Sequence, residues 1–243
     1  MCLLAILWRV VADAPLIVAA NREEAYARPG TPPQLVDGPV RFIGGLDPLA
    51  GGTWLGLNGH GVLVAVTNGY KSEVPLEPRS RGMLVRDLLQ SSSAQEATKN
   101  AIQQMETRSF AGCNLLCADV RNANVLQSSD WLQVTPLPPG GHVLVNNGRL
   151  NDSTISRIAY TQAWMVTQNR ATGDEWLTAF PHLCGQREKS ELPAICVRGK
   201  ERGTLSSSLL LLRTSVSKSR YLHAQGPPDS TPYQDYSHLL HQL

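Results

Sequence analysis

The sequence predicts an α+β fold built mainly from antiparallel strands, and three observations carry that prediction. Apolar runs of strand length recur with short turns between them, as in 2–10 and 15–20 on either side of Ala12-Asp13-Ala14. A second pair, 53–57 and 62–68, flanks Asn58-Gly59-His60-Gly61, a strong hairpin signal. Between these strands and later ones lie two stretches with helical apolar spacing, about 80–90 and 94–107.

Taken in order, the first hairpin returns Asn21-Arg22-Glu23-Glu24 toward Cys2. Residues 25–53 are rich in Pro and Gly, with Arg28-Pro29-Gly30-Thr31-Pro32-Pro33 and Gly44-Gly45-Leu46-Asp47-Pro48, which excludes a regular element. A loop of that length inside a compact domain is functional or mobile. Leu84, Val85, Leu88 and Leu89 give the first helix its stripe, and Ala97, Ala101, Ile102 and Met105 the second. Strands follow at about 112–119, 125–128, 131–135 and 142–146. Asn151-Asp152-Ser153 caps a helix through about Gln168 with Ile155, Ile158, Ala159 and Val166 inward, and a shorter helix spans 174–181. Residues 184–201 carry no regular pattern. Leu209 to Leu212 reads as a buried strand with 217–223 as its partner, and from Gly226 a linker leads to a short terminal helix.

Length and composition bound the class. A chain of 243 residues, 42% hydrophobic and 17% charged with a net charge of +2, is expected to form one domain with a substantial core and a tail from about 226. It lacks the clustered basic stripe of a nucleic-acid binder. Arg9 and Asp13 interrupt the apolar start, and no apolar run reaches the roughly 18 residues of a membrane span. Five cysteines, Cys2, Cys113, Cys117, Cys184 and Cys196, are odd in number and not spaced as a disulfide framework, so a reducing cytoplasm is expected. Cys113 and Cys117 have no second pair to complete a zinc site, and His238 and His241 read as surface residues.

The residue that gives this fold a chemistry is Cys2. Removal of Met1 would place a thiol and a free α-amine on one residue, and an amine of pKa near 8 acts as a local base. Arg22, returned beside it by the hairpin, is expected to lower the thiol's pKa. On local pattern alone Cys2 reads as a small buried hydrophobe, and Asn68 and Asn146, each shortly followed by Gly, as hairpin turns.

Met1-Cys2, Trp8, Ala19-Ala20-Asn21-Arg22-Glu23-Glu24, Arg28-Pro29, Gly44-Gly45-x-Asp47, Ala50-Gly51-Gly52-Thr53-Trp54-Leu55-Gly56, Val66-Thr67-Asn68, Val145-Asn146-Asn147 and Arg202-Gly203-Thr204 together resemble the NRDE family, also called the Transport and Golgi organization 2 family. The resemblance covers nearly the whole chain. That family is in turn similar to the N-terminal nucleophile hydrolases of the choloylglycine hydrolase and penicillin acylase type, which implies a four-layer αββα sandwich with two mainly antiparallel sheets. It also implies Cys2 as nucleophile, Arg22 and Glu23 as its electrostatic neighbours, and Asn68 with Asn146 as oxyanion donors, Asn147 being the neighbour to test.

Three positions depart from the pattern. Glu23 stands where the family has Asp, Leu205 where related sequences carry Arg, and Ala20 where classical hydrolases have Arg. The expected function is hydrolysis of a carbon–nitrogen bond in a non-peptide amide, with no cofactor required. The alternative is a non-catalytic carrier of haem or an acyl lipid, as the family's association with haem trafficking and Golgi or lipid homeostasis implies. No Cys-Pro or paired-His motif supports haem independently. A purely structural partner-binding domain lacks an obvious apolar surface, and the oligomeric state is left open.

Overall fold

The computed structural model describes residues 2–243; whether Met1 is removed lies outside them. Among the described residues the strands form two sheets, antiparallel at every pairing. The first contains β1 (Leu3–Val11), β2 (Ala14–Ala25), β10 (Gly140–Val145), β11 (Arg202–Leu212), β12 (Arg220–Ala224) and β13 (Gln234–Asp235), in the order β10-β1-β2-β11-β12-β13. The second runs in sequence order: β3 (Gln34–Val36), β4 (Phe42–Leu46), β5 (Thr53–Asn58), β6 (Leu63–Asn68), β7 (Cys113–Ala118), β8 (Ala123–Ser128) and β9 (Leu132–Pro136).

Strand alternation explains why both sheets are apolar on both faces. On β1, Leu4, Ile6 and Trp8 face the second sheet and meet Ile43, Leu55, Leu57, Leu63 and Leu116 in the central core. Leu3, Ala5 and Leu7 face the other way, against Ile158, Trp176 and Phe180 of α3 (Ser156–Thr167) and α4 (Gly173–Cys184). Val62, Val64, Leu115 and Cys117 do the same for α1 (Arg81–Leu88) and α2 (Ala94–Thr107), whose Leu84, Val85, Leu88 and Ala97 pack on them. The result is four layers, αββα. Ser80 and Ser93 start α1 and α2 by accepting hydrogen bonds from Met83 N and Glu96 N.

Several local expectations are corrected. The Pro/Gly-rich 25–53 segment contains β3 and β4, because its glycines admit a neighbour: a Cβ on Gly45 would lie 2.7 Å from the Trp54 ring. Asn151 does not cap α3, which begins at Ser156; its Oδ1 accepts from Val143 N at 2.8 Å and ties the segment to β10. Val166 is 85% exposed, since Ile158, Thr161 and Met165 set the inward phase. α4 extends past Pro181 to Cys184 because Trp176, Leu177, Phe180, Leu183 and Cys184 continue one apolar face. β11 starts at Arg202, and Val216–Lys218 is a 3₁₀ turn before β12. The terminal segment Ser237–Gln242 is also 3₁₀, and it delivers Leu240 into the central core. No helix among the described residues is long and apolar enough to cross a membrane.

Candidate active site

Cys2 precedes β1, and its position follows from two registers. Leu3 pairs with Asn21 on one side and Val145 on the other, so Cys2 lies between the Arg22 end of β2 and Asn146 beyond β10. Asn146 N donates to Cys2 O at 3.2 Å, and the Cys2 thiol donates to Glu23 O at 3.9 Å. Cys2 is half-buried on the wall of a cavity of about 250 Å³, together with Arg22, Trp54 and Asn68. The loop around Asp47 and the start of α1 complete that wall.

Asn68 enters from the other sheet. Its N–H donates to Asn146 Oδ1 at 2.9 Å and its carbonyl accepts from Asn147 N at 2.9 Å, so the ends of β6 and β10 are clasped across the sheet interface. The structure therefore brings Cys2 and Asn68 to one cavity. Asn146 is buried behind Asn68 as the partner of its backbone and is not among the cavity-lining residues. Asn147 is exposed, with a left-handed φ of 57°.

Alternation divides the Asn21-Arg22-Glu23-Glu24 run. Arg22 turns toward the second sheet and lies over the Trp54 ring at 4.4 Å, with Nη2 donating to Arg28 O at 3.2 Å. Glu23 turns to the helix layer, where its carboxylate is paired by Arg157 of α3, Nη2 to Oε1 and Nη1 to Oε2 at 3.3 Å. Arg157 Nη2 also donates to Ile195 O at 3.1 Å. Asn21, on the same face as Glu23, donates to Cys184 O at 2.9 Å and Ile195 O at 3.0 Å. The expected cation beside the thiol does not dominate its ionisation. Burial pushes the Cys2 thiol up, the Glu23 charge adds to the rise, and the Glu23 carbonyl and Arg22 oppose it less strongly.

Sequence reasoning missed Arg157. It stands between Ser156 and Ile158 at the start of a helix, and nothing local marks it as 6% exposed. The Arg28–Asp47 pair at 2.5 Å, which holds the loop over the cavity, was visible only as part of the family pattern. Leu205 sits at a bulge of β11 between Thr204, opposite Glu23, and Ser206, opposite Arg22. Arg202, at the start of the same strand, lies 3.7 Å from Glu24 and is 61% exposed, so it does not supply a buried cation in place of the missing Arg.

Known proteins share this frame. A variant of conjugated bile acid hydrolase from Clostridium perfringens superposes with a TM-score of 0.60 at 13% identity, covering 97% of this chain and 92% of that one. An N-acylethanolamine-hydrolyzing acid amidase ortholog from Caenorhabditis elegans gives 0.58 at 16% identity, covering 88% and 95%. Penicillin V acylase from Agrobacterium tumefaciens gives 0.55 at 11% identity, covering 98% and 86%. At such identities the likeness establishes the fold, which is that of the N-terminal nucleophile hydrolases. In sequence, the human Transport and Golgi organization protein 2 homolog is 34% identical over 111 residues, which are 44% of this chain and 40% of that protein. The bovine homolog is likewise 34% identical over 108 residues, 43% of this chain and 39% of its own length. The model of one family matches residues 1–221, and on that match the chain belongs to the Transport and Golgi organisation 2 family.

Proposed function

We propose that the chain is an N-terminal cysteine hydrolase acting on the carbon–nitrogen bond of a non-peptide amide. The observation that carries this reading is the convergence of Cys2 and Asn68, from different sheets, on one cavity. With Met1 removed, the α-amine of Cys2 takes the thiol proton as sulfur attacks the carbonyl. The Asn68 carboxamide donates to the developing oxyanion, and Asn146 holds Asn68 in place. Collapse of the tetrahedral intermediate breaks the carbon–nitrogen bond, the amine leaves with the proton, and water then cleaves the thioester. The solved structures sharing the fold are, by name, a hydrolase, an amidase and an acylase.

Carriage of an acyl ligand or haem is the second reading. The raised thiol favours it, since a resting thiolate is not prepared. Intact mass, turnover of an amide library and haem titration on the parent and on Cys2→Ser separate the two. The hydrolase begins at Cys2, cleaves an amide and loses turnover in Cys2→Ser. Retained Met1 on protein that binds haem equally well in parent and variant, with no amide cleaved, establishes the carrier. Asn68→Ala is expected to lower turnover about 100- to 1000-fold with a smaller effect on KM.

A further inference from the structure

A second cavity, of about 340 Å³, shares no lining residue with the one at Cys2. Gly69 and Asn147 on its wall directly follow Asn68 and Asn146, so it lies against the clasp that joins β6 to β10. Asn114 of β7 and Gln127 of β8 form its buried floor. Gln127 Nε2 donates to Asn114 Oδ1 at 2.8 Å, Asn114 Nδ2 donates to Thr67 Oγ1 at 3.1 Å, and Gln127 Oε1 accepts from Leu150 N at 3.1 Å. A buried amide network satisfied in this way is rigid and gives the cavity a fixed base.

The rim is different. Three aromatic side chains are exposed among the described residues, Tyr26, Tyr70 and Trp131, and two of them line this cavity. Asp130 Oδ1 accepts from Ser72 N at 3.0 Å and from Ser72 Oγ at 2.7 Å, which fastens the segment after Tyr70 to the turn that carries Trp131. The Arg149 guanidinium lies over the Trp131 ring at 5.5 Å. Among the described residues the side chains of Tyr70, Ser128, Asn147 and Arg149 make no hydrogen bond, and neither does Asp130 Oδ2.

Charge points to a neutral occupant. Arg149 and Asp130 are opposite in sign, and each also feels a counter-charge from outside the cavity, Asp152 for Arg149 and Lys71 for Asp130. An ion gains little from so balanced a lining. The rim suits a ligand with an apolar face for the rings and an edge of groups that both donate and accept. A pyranose has both, since its C–H bonds meet the negative face of an aromatic ring and each hydroxyl donates and accepts. A purely apolar ring would leave the Asn147, Arg149 and Asp130 groups without partners.

We propose that this cavity is a carbohydrate site, taking a neutral pyranose against Tyr70 and Trp131 with its hydroxyls on Asn147, Arg149 and Asp130. The site does not depend on the hydrolase reading.

The experiment is a calorimetric titration, with saturation-transfer NMR, using the methyl glycosides of glucose, galactose, mannose and N-acetylglucosamine. Methyl glucuronide, tetramethylammonium and indole are the anionic, cationic and purely aromatic comparisons. At least one neutral glycoside is expected to bind saturably and more tightly than all three. Trp131→Ala and Tyr70→Ala should each weaken it by about 10-fold, the scale of a lost aromatic contact, and Tyr26→Ala should leave it unchanged. A thermal melt checks folding, and Tyr70→Ala, at the more exposed ring, serves if Trp131→Ala melts early. The site is overturned if no neutral glycoside binds, if neither ring variant weakens binding, or if Tyr26→Ala weakens it as much. Preference for the anion, the cation or indole over every neutral glycoside overturns the carbohydrate assignment.

Discussion

The Arg157 guanidinium meets both oxygens of the Glu23 carboxylate on the helix side of the first sheet, with both side chains at most 8% exposed. The contact ties α3 to the strand that ends beside Cys2. A buried ion pair is worth little against an apolar replacement of both partners, but losing one partner strands a charge. Arg157→Met is therefore expected to cost about 3–5 kcal/mol in urea unfolding, and Glu23→Gln combined with Arg157→Met to recover much of it. If the single and double variants are equally unstable, the pair is not what holds α3.

The five thiols are expected to separate cleanly under alkylation. Burial pushes Cys113 and Cys117 up to about 12 and Cys184 to about 11, and Cys196 is buried too, whereas Cys2 is half-buried on the cavity wall. Iodoacetamide should add one label to the native protein, at Cys2, and five in urea. Because the Cys2 thiol is itself raised, its labelling should be slow at neutral pH and quicken as pH rises. Peptide mapping that finds the native label elsewhere contradicts this.

His223 predicts a pH dependence of stability. Its ring accepts at Nδ1 from Ser208 Oγ at 2.9 Å and donates from Nε2 to Gln225 Oε1 at 2.8 Å, and burial pulls its pKa down to about 4. Folded His223 thus binds its proton less readily than unfolded His, with its pKa of about 6.5. Stability is full above that value and is lost as pH falls toward about 4, by up to about 3 kcal/mol. His223→Gln should flatten the slope of Tm against pH between 6.5 and 4; an unchanged slope assigns it to other groups.

Gly52 should tolerate no side chain. A Cβ there would lie 2.4 Å from the Gly82 carbonyl carbon, in the backbone of α1. Gly52→Ala is expected to destabilise by about 1–3 kcal/mol and to move the start of α1 away from the cavity. A melt unchanged from the parent shows that the two backbones separate freely.

The parts of the fold that could be read in advance are those governed by alternation. β1 and β2 announce themselves as apolar runs around a turn, and β5 and β6 as a hairpin. α1 and α2 followed from stripes that the structure buries. β3 and β4 were hidden because their glycines serve a contact with Trp54 made only after folding. Cys2 and Asn68 were found through a family pattern rather than local chemistry, and the opposite outlooks of Arg22 and Glu23 follow once the register of β2 is known. Arg157 was illegible because its burial depends on Glu23, 134 residues away.

The division of the Asn21–Glu24 run between two layers has a practical meaning for anyone scanning it one residue at a time. The Asn21 and Glu23 side chains take hydrogen-bond partners from the helix layer, Arg22 and Glu24 border the cavity, and Glu23 contributes to both. A loss at Asn21 should surface as low yield and early melting, losses at Arg22 or Glu24 as altered ligand response, and a loss at Glu23 as both. Four consecutive letters thus report on two separate properties, and a block replacement of all four would confound them. Shifting the strand by a single residue would send each group to the wrong side at once.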